Sequence, residues 1–207
     1  MWLSGRTRPD VAFAVSRLAS QAASNPQWAL RLGKRILRYL AGTRSHGLVF
    51  KPQGEAMKLE VYADASFEPE VSQTGVSTFL GGCLVDWRSC KQPQPARSTA
   101  EAEITALSMG CVMLEGAEAV LGSMGIRPSL VQMWGDNSAS LCIATGQGSW
   151  RTRALANRAS ALRARTQQET LSLGFVGTQD QRADGLTKTF SVQGMQQVRK
   201  ALGLRAL

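Results

Sequence analysis

The spacing of apolar residues changes once along this chain, and that change limits what it can fold into. Up to about residue 50 the period is helical. Pro9 can open a helix, and Val11, Ala14, Val15, Leu18 and Ala22 recur along one of its faces. Asn25 and Pro26 supply a cap and first turn for a second helix ending near Gly42, with Ala29, Leu32, Ile36, Leu37 and Leu40 as its apolar stripe. Arg31, Lys34, Arg35 and Arg38 fall on its outward face. Past Gly54 the pattern alternates. Leu59, Val61 and Ala63 share one face of a strand that reaches Asp64. Val76, Thr78 and Leu80 lead into Gly81 and Gly82, and Leu84, Asp86 and Arg88 alternate with Val85 and Trp87 beyond, which predicts a hairpin.

The remaining pattern predicts a long helix from Ser98 to about Leu121, a strand at 130–134, helical segments at 137–145 and 153–168, and a last strand at 171–176. Two helices, about 181–187 and 191–202, close the chain. This order makes an α/β protein, a mixed sheet with helices packed on its faces. With 207 residues there is room for one such unit, 55–207, preceded by a helical pair at 1–54.

Charge narrows the partner. The formal net charge is +9, and residues 1–54 hold nine Lys and Arg against the single acid Asp10. A second basic run, Arg151, Arg153, Arg158, Arg163 and Arg165, precedes Glu169. Either run alone could simply solvate a helix; together they point to nucleic acid. Cys83, Cys90, Cys111 and Cys142 lack a paired zinc spacing and read as buried, reduced thiols. No segment of about 18 apolar residues occurs, so the expectation is an intracellular chain, cytoplasmic or nuclear, neither secreted nor bound to membrane.

Four acidic residues stand out. Ala106, Leu107, Gly110, Cys111 and Leu114 follow Glu103 at helical spacing, so Glu103 belongs to the buried face, whereas Glu101 points away and should be solvated. A carboxylate facing a core is costly unless a cation or hydrogen bonds compensate it. Asp64 ends an alternating run beside the small residues Ala63, Ala65 and Ser66. Alone it reads as a turn former, Asp136 before Asn137 and Ser138 as a helix cap, and Asp184 as half of a surface ion pair. Trp87, Trp134 and Trp150 could stack on a nucleic acid but more often such residues are core.

Together, and in their order along the chain, these acids resemble the ribonuclease H superfamily. The likeness is strongest to copia-type retrotransposon polyproteins and covers nearly the whole chain. Eight short blocks carry it: Arg8 to Leu18 (RPDVAFAVSRL), Arg35 to Leu40 (RILRYL) with Gly42 and Thr43, Gly47 to Phe50 (GLVF), Tyr62 to Ala65 (YADA), Lys91 to Pro93 (KQP), Ser98 to Glu103 (STAEAE), Gly135 to Ala139 (GDNSA) and Ala183 to Lys188 (ADGLTK). The resemblance implies a ribonuclease H-like five-stranded mixed sheet with helices on both faces, residues 1–54 being a reverse transcriptase tail. It implies hydrolysis of the RNA strand of RNA/DNA hybrids by two Mg²⁺ ions, with Mn²⁺ as substitute, held by Asp64, Glu103, Asp136 and Asp184. By family position Asp64 bridges both ions, Glu103 and Asp136 serve the leaving-group side, and Asp184 serves the water side. Ser66, Arg97, Asn137, Arg151 and Arg153 are the expected nucleic-acid contacts. The reverse transcriptase portion of the same polyprotein, within a cytoplasmic virus-like particle or the nucleus, is the expected protein partner. A glutamate on the helix after the third strand departs from the integrase pattern, and the paired aspartates of a polymerase site are absent. Ile104 replaces the usual aromatic. Ala154 and Ala156 stand where the family has His and Asp, so a remnant that binds hybrid or RNA without cutting it is the alternative.

Overall fold

The computed structural model describes residues 1–51, 57–68, 70–147 and 153–207. Gly54, the expected boundary, lies outside them. The central sheet has five strands in the order β4-β3-β2-β5-β6. These are β2 (Lys58–Ser66), β3 (Gln73–Leu80), β4 (Cys83–Lys91), β5 (Leu130–Gly135) and β6 (Ser172–Phe175). β2, β3 and β4 pair antiparallel, while β5 runs parallel to β2 and β6 parallel to β5. This is the five-stranded mixed sheet that the resemblance implies.

Side-chain alternation along β2 divides the core. Leu59, Val61 and Ala63 are wholly buried on one face, under Ala102, Ala106, Leu107 and Leu114 of α4 (Thr99–Ser123). Gly110 of α4 sits over Val61 and Met133, where a Cβ would come within 3.2 Å of Val61. α5 (Ser138–Ala144), α6 (Arg153–Arg158) and α7 (Ser160–Gln167) complete that layer, with Ile143, Ala144 and Leu162 in the same cluster. On the opposite face Tyr62, Phe79 and Leu84 meet Val198 of α8 (Val192–Ala201) and Leu202, which follows that helix. By length and composition α4 could cross a membrane, although no run of about 18 apolar residues was expected; here its buried face is core.

Local signals account for much of this. The hairpin between β3 and β4 turns on Gly81 and Gly82, both at positive φ (54° and 78°), which glycine adopts without strain. Asn25 caps α3 (Pro26–Gly42) by accepting from the Trp28 amide at 3.2 Å. Ser98 caps α4 through the Glu101 amide at 3.2 Å, and the Glu101 carboxylate accepts from the Arg97 amide at 2.8 Å.

The N-terminal segment departs from a simple helical pair. It holds α1 (Trp2–Arg6), a 3-10 turn at Pro9–Val11, α2 (Ala12–Gln21), α3, and β1 (His46–Leu48), which pairs antiparallel with β7 (Leu204–Ala206). Those two strands are too short to show an alternation, so they escape a reading by period. Leu37, placed on the apolar stripe, is 67% exposed, because none of the described residues covers it on that side of α3. At the C-terminus the helix expected at 181–187 is only a 3-10 turn, Asp184–Leu186. All four cysteines are free, as expected, but only Cys111 is buried; Cys142 faces outward on α5.

Two partly buried links fasten this segment to the sheet. The Trp87 indole donates to the Ser4 carbonyl at 2.7 Å, and the Gln73 amide to Ser16 Oγ at 2.9 Å. A third network is ionic. Arg8 forks onto Asp10 at 3.0 and 2.8 Å, the Tyr39 hydroxyl donates to Asp10 at 2.6 Å, and Arg199 of α8 donates to Tyr39 at 3.0 Å.

Candidate active site

The parallel pairing of β2 with β5 ends where Tyr62 lies beside Trp134. Two residues further come Asp64, near the carboxyl end of β2, and Asp136, just past the end of β5, where the two strands part, the usual place for a ligand crevice in a sheet of this kind. Asp184 reaches the same point from the 3-10 turn. One carboxylate oxygen from each of Asp64, Asp136 and Asp184 lies within 4.8 Å of the others. Asp64 is buried, and Asp136 and Asp184 are half-buried.

A missing side chain seats the turn. Gly75 of β3 is directly across from Asp64, and a Cβ on it would stand 2.6 Å from Thr187 Cγ2, 2.8 Å from Leu186 Cβ and 3.0 Å from the Ala183 carbonyl. With hydrogen there, the turn lies flat on the strand. Three hydrogen bonds hold it. Gln181 Nε2 donates to the Ala63 carbonyl at 3.0 Å, Ser89 Oγ donates to the Leu186 carbonyl at 2.6 Å, and Thr187 Oγ1 donates to Asp64 Oδ2.

Glu103 comes from the other layer. It is buried on α4, and the Ala65 amide at the end of β2 donates to its carboxylate. Its neighbour Glu101, expected in solvent, is 8% exposed. The capping bond to Arg97 and an ion pair with Arg158 at 3.0 Å draw it under α6, a partner that spacing along α4 alone cannot reveal.

The crowding of acids is visible in their proton affinities. Burial pushes the Glu103 carboxyl up to about 9, and the charges of Asp64 and Asp136 add to it. Burial also raises Asp64 to about 6, opposed by the Thr187 hydroxyl and Lys188, while Asp184 and Asp136 push further upward. Asp136 is raised by burial and then by Asp184. Among the described residues the cation paired at the cluster is Lys188, whose ammonium sits 2.7 Å from Asp184. Burial works against that ammonium, but its hydrogen bond to Asp184 and the charges of Asp64, Asp184 and Asp136 outweigh burial and raise its proton affinity. An all-oxygen set of this kind, short of positive charge, suits a hard divalent cation.

No protein-family model matches the chain. Over 205 residues it is 32% identical to the retrovirus-related Pol polyprotein from transposon RE1 of Arabidopsis thaliana, an alignment covering 96% of this chain. The chain belongs to the copia-type retrotransposon Pol family. It spans 14% of the length of that relative. A 116-residue stretch of this Pol chain is also 46% identical to secreted RxLR effector protein 161 of Plasmopara viticola, covering 52% of this chain and 78% of that one. Among solved structures, LC11-RNase H1, isolated from compost, superposes with a TM-score of 0.49 at 16% identity, over 63% of the Pol chain and 91% of its own.

Other residues of the Pol chain singled out from sequence are placed as follows. Ser66 ends β2 and is half-buried. Asn137 caps α5, its Oδ1 accepting from the Ser140 amide at 2.9 Å, immediately after Asp136. Arg97 is exposed just before α4. Arg151 and Trp150 lie outside the described residues, as do the side chains of Arg153, Ala154 and Ala156. The other arginines of the second basic run have internal partners. Arg158 pairs with Glu101, Arg163 donates to the Ile143 carbonyl at 3.1 Å, and Arg165 pairs with Glu118 at 2.8 Å. Those three fasten the α5–α7 layer rather than form a free basic face. Trp134 stacks on Tyr62 and donates to Glu60, so it and Trp87 are structural. Gly75, Gln181 and Ser89 escaped the sequence reading. Only Gly75 left a signal there, as a lone glycine inside a strand pattern, which marks close approach of another segment.

Proposed function

We propose that this Pol chain cleaves the RNA strand of RNA/DNA hybrids, with Asp64, Glu103, Asp136 and Asp184 holding two Mg²⁺ ions or, in substitution, Mn²⁺. The observation that carries the reading is the approach of Asp64, Asp136 and Asp184 within 4.8 Å of one another, with Glu103 buried against the same charges. Divalent ions bound there supply Lewis acidity toward a phosphodiester. The chain's own residues prepare the site. Thr187 fixes the orientation of the Asp64 carboxylate, Lys188 offsets part of the negative charge, and Gly75 with Gln181 and Ser89 holds Asp184 at the strand end. Ser66 and Asn137 flank the acids and in this reading meet the nucleic acid backbone, while exposed Arg31, Lys34, Arg35 and Arg38 on α3 add a basic surface. Residues 1–54 are read as the reverse transcriptase tail and 55–207 as the nuclease unit.

Ala154 and Ala156, in place of the family's His and Asp, favour a second reading, a binder of hybrid that has lost turnover. One experiment separates the two. A labelled RNA/DNA hybrid and a DNA duplex are incubated with the protein in Mg²⁺ or EDTA, beside the Asp64→Asn and Asp136→Asn variants. Mg²⁺-dependent cleavage of the hybrid alone, lost in both variants, supports the nuclease. Affinity for the hybrid without product supports the binder, and equal cleavage by the variants removes the acidic cluster from the reaction.

A further inference from the structure

A second cleft lies away from the acids. It has a volume of about 940 Å³ and is walled by the ends of β1 and β7, the Gly82 end of the β3–β4 hairpin, the turn at 179–182 and the last turn of α8. None of Asp64, Glu103, Asp136 or Asp184 lines it. Among the described residues four cationic side chains do, Lys51, Arg182, Lys200 and Arg205, against the single carboxylate Asp180, with Gln197 among the neutral polar groups. Among the described residues neither Lys200 nor Arg205 has an ion-pair partner. Lys200 also offsets the carbonyl end of α8, but that role does not draw three further cations to the same space.

Arg182 is held ready. Its guanidinium lies 5.1 Å from the Tyr62 ring centre and 4.7 Å from that of Phe79, so its plane is fixed by the core, and among the described residues its N–H edges meet no hydrogen-bond acceptor. The cleft's size is that of small-molecule sites, roughly 300–1,000 Å³. Converging cations with few acids match a compact, multiply charged anion, and Arg with Lys is the pairing that recognises phosphate. The overall charge of +9 draws such ligands in.

We propose that this cleft binds a phosphate monoester, as carried by a mononucleotide or by the 5′-phosphorylated end of a nucleic acid strand. The proposal stands independently of the nuclease reading, because none of the acids takes part.

The test uses the whole chain in EDTA. Adenosine 5′-monophosphate is titrated beside adenosine, and a 5′-phosphorylated oligonucleotide beside its 5′-hydroxyl form, with amide resonances of Gly82 and Gly203 as reporters on the unmutated protein. The phosphorylated ligands should bind and shift those amides, and the Lys200→Gln/Arg205→Gln double variant should bind roughly tenfold more weakly or worse. Asp136→Asn should bind as the parent does. Tighter binding of the oligonucleotide than of the nucleotide assigns the strand end, and equal binding assigns the free nucleotide. The proposal is overturned if adenosine binds as well as its phosphate, if the Gly82 and Gly203 amides do not move, or if a hexaglutamate peptide competes equally.

Discussion

Gly75 lies directly across the β2–β3 ladder from Asp64, and the space left by its missing side chain is filled by Thr187, whose hydroxyl donates to the Asp64 carboxylate. The candidate site thus depends on a residue with no functional group. A Cβ at position 75 would meet Thr187, Leu186 and the Ala183 carbonyl, two of them side chains and one backbone. Gly75→Ala should lower stability by about 1–3 kcal/mol in urea unfolding and weaken hybrid cleavage by displacing Asp184. Adding Thr187→Ser keeps the hydroxyl and removes the nearest clashing methyl, so the double variant should recover part of both losses. Unchanged unfolding and unchanged cleavage in Gly75→Ala would show that the turn seats itself another way.

Without metal, stability should fall as pH rises. The folded-state carboxyls of Asp64 and Glu103 lie above their ordinary values, at about 6 against 3.8 and about 9 against 4.5. Between those limits the folded chain holds protons that the unfolded chain has released, so the unfolded state binds fewer and stability declines with pH. In EDTA the melting temperature should drop from about pH 5 to about pH 9, most steeply between about pH 5 and pH 6, where both Asp64 and Glu103 hold protons that the unfolded chain has released, and should level off above about pH 9 once Glu103 has ionised. Saturating Mg²⁺ should raise it more at the alkaline end than at the acidic end. A flat profile in EDTA contradicts the crowding of these acids.

Glu103→Gln separates stability from function. The amide keeps the shape and removes the charge, so in EDTA at about pH 9 the variant should melt higher than the parent. If the nuclease reading holds, its cleavage should fall roughly a hundredfold or more. A variant less stable than the parent under those conditions would mean that the Ala65 amide, not the neighbouring acids, dominates at Glu103.

Lys188→Met removes the ammonium 2.7 Å from Asp184. The melting temperature in EDTA should fall and the increment given by Mg²⁺ should grow, since the cation then offsets charge that Lys188 no longer does. Differential scanning calorimetry with and without Mg²⁺ reads both quantities. Equal increments in variant and parent would show that Lys188 is electrostatically remote from any bound ion.

Asp10→Ala tests how firmly the N-terminal helices are fixed. Arg8 and Asp10 are 6% and 5% exposed, and removing the carboxylate strands a buried guanidinium and the Tyr39 hydroxyl. The expected loss is about 3–5 kcal/mol, whereas Arg17→Ala, which breaks an exposed pair with Glu68, should cost below about 1 kcal/mol. Similar small losses in both would mean that the first fifty residues contribute little to the folded unit.

What the sequence by itself determined was whatever rests on the geometry of a single element. The alternation of Leu59, Val61 and Ala63 required a strand with one buried face, Gly81 and Gly82 required a tight turn, and Asn25 with Pro26 required a helix start, each of which is present. The helical spacing after Glu103 likewise placed that carboxylate on the buried side of α4. These follow from 3.6- and 2-residue periods and from backbone torsions, which remote residues do not alter. Tertiary structure decided the rest, because covering a face needs a partner from elsewhere in the chain. Leu37 fits the stripe of α3 but is left exposed among the described residues, Glu101 points off the core of α4 but meets Arg158, and β1 finds β7 at the far end of the sequence. The same holds at the site. The resemblance nominated Asp64, Asp136 and Asp184, which spacing alone left as a turn former, a cap and a surface ion pair, and only the close approach of the 183–187 turn to Gly75 brings their oxygens within 4.8 Å.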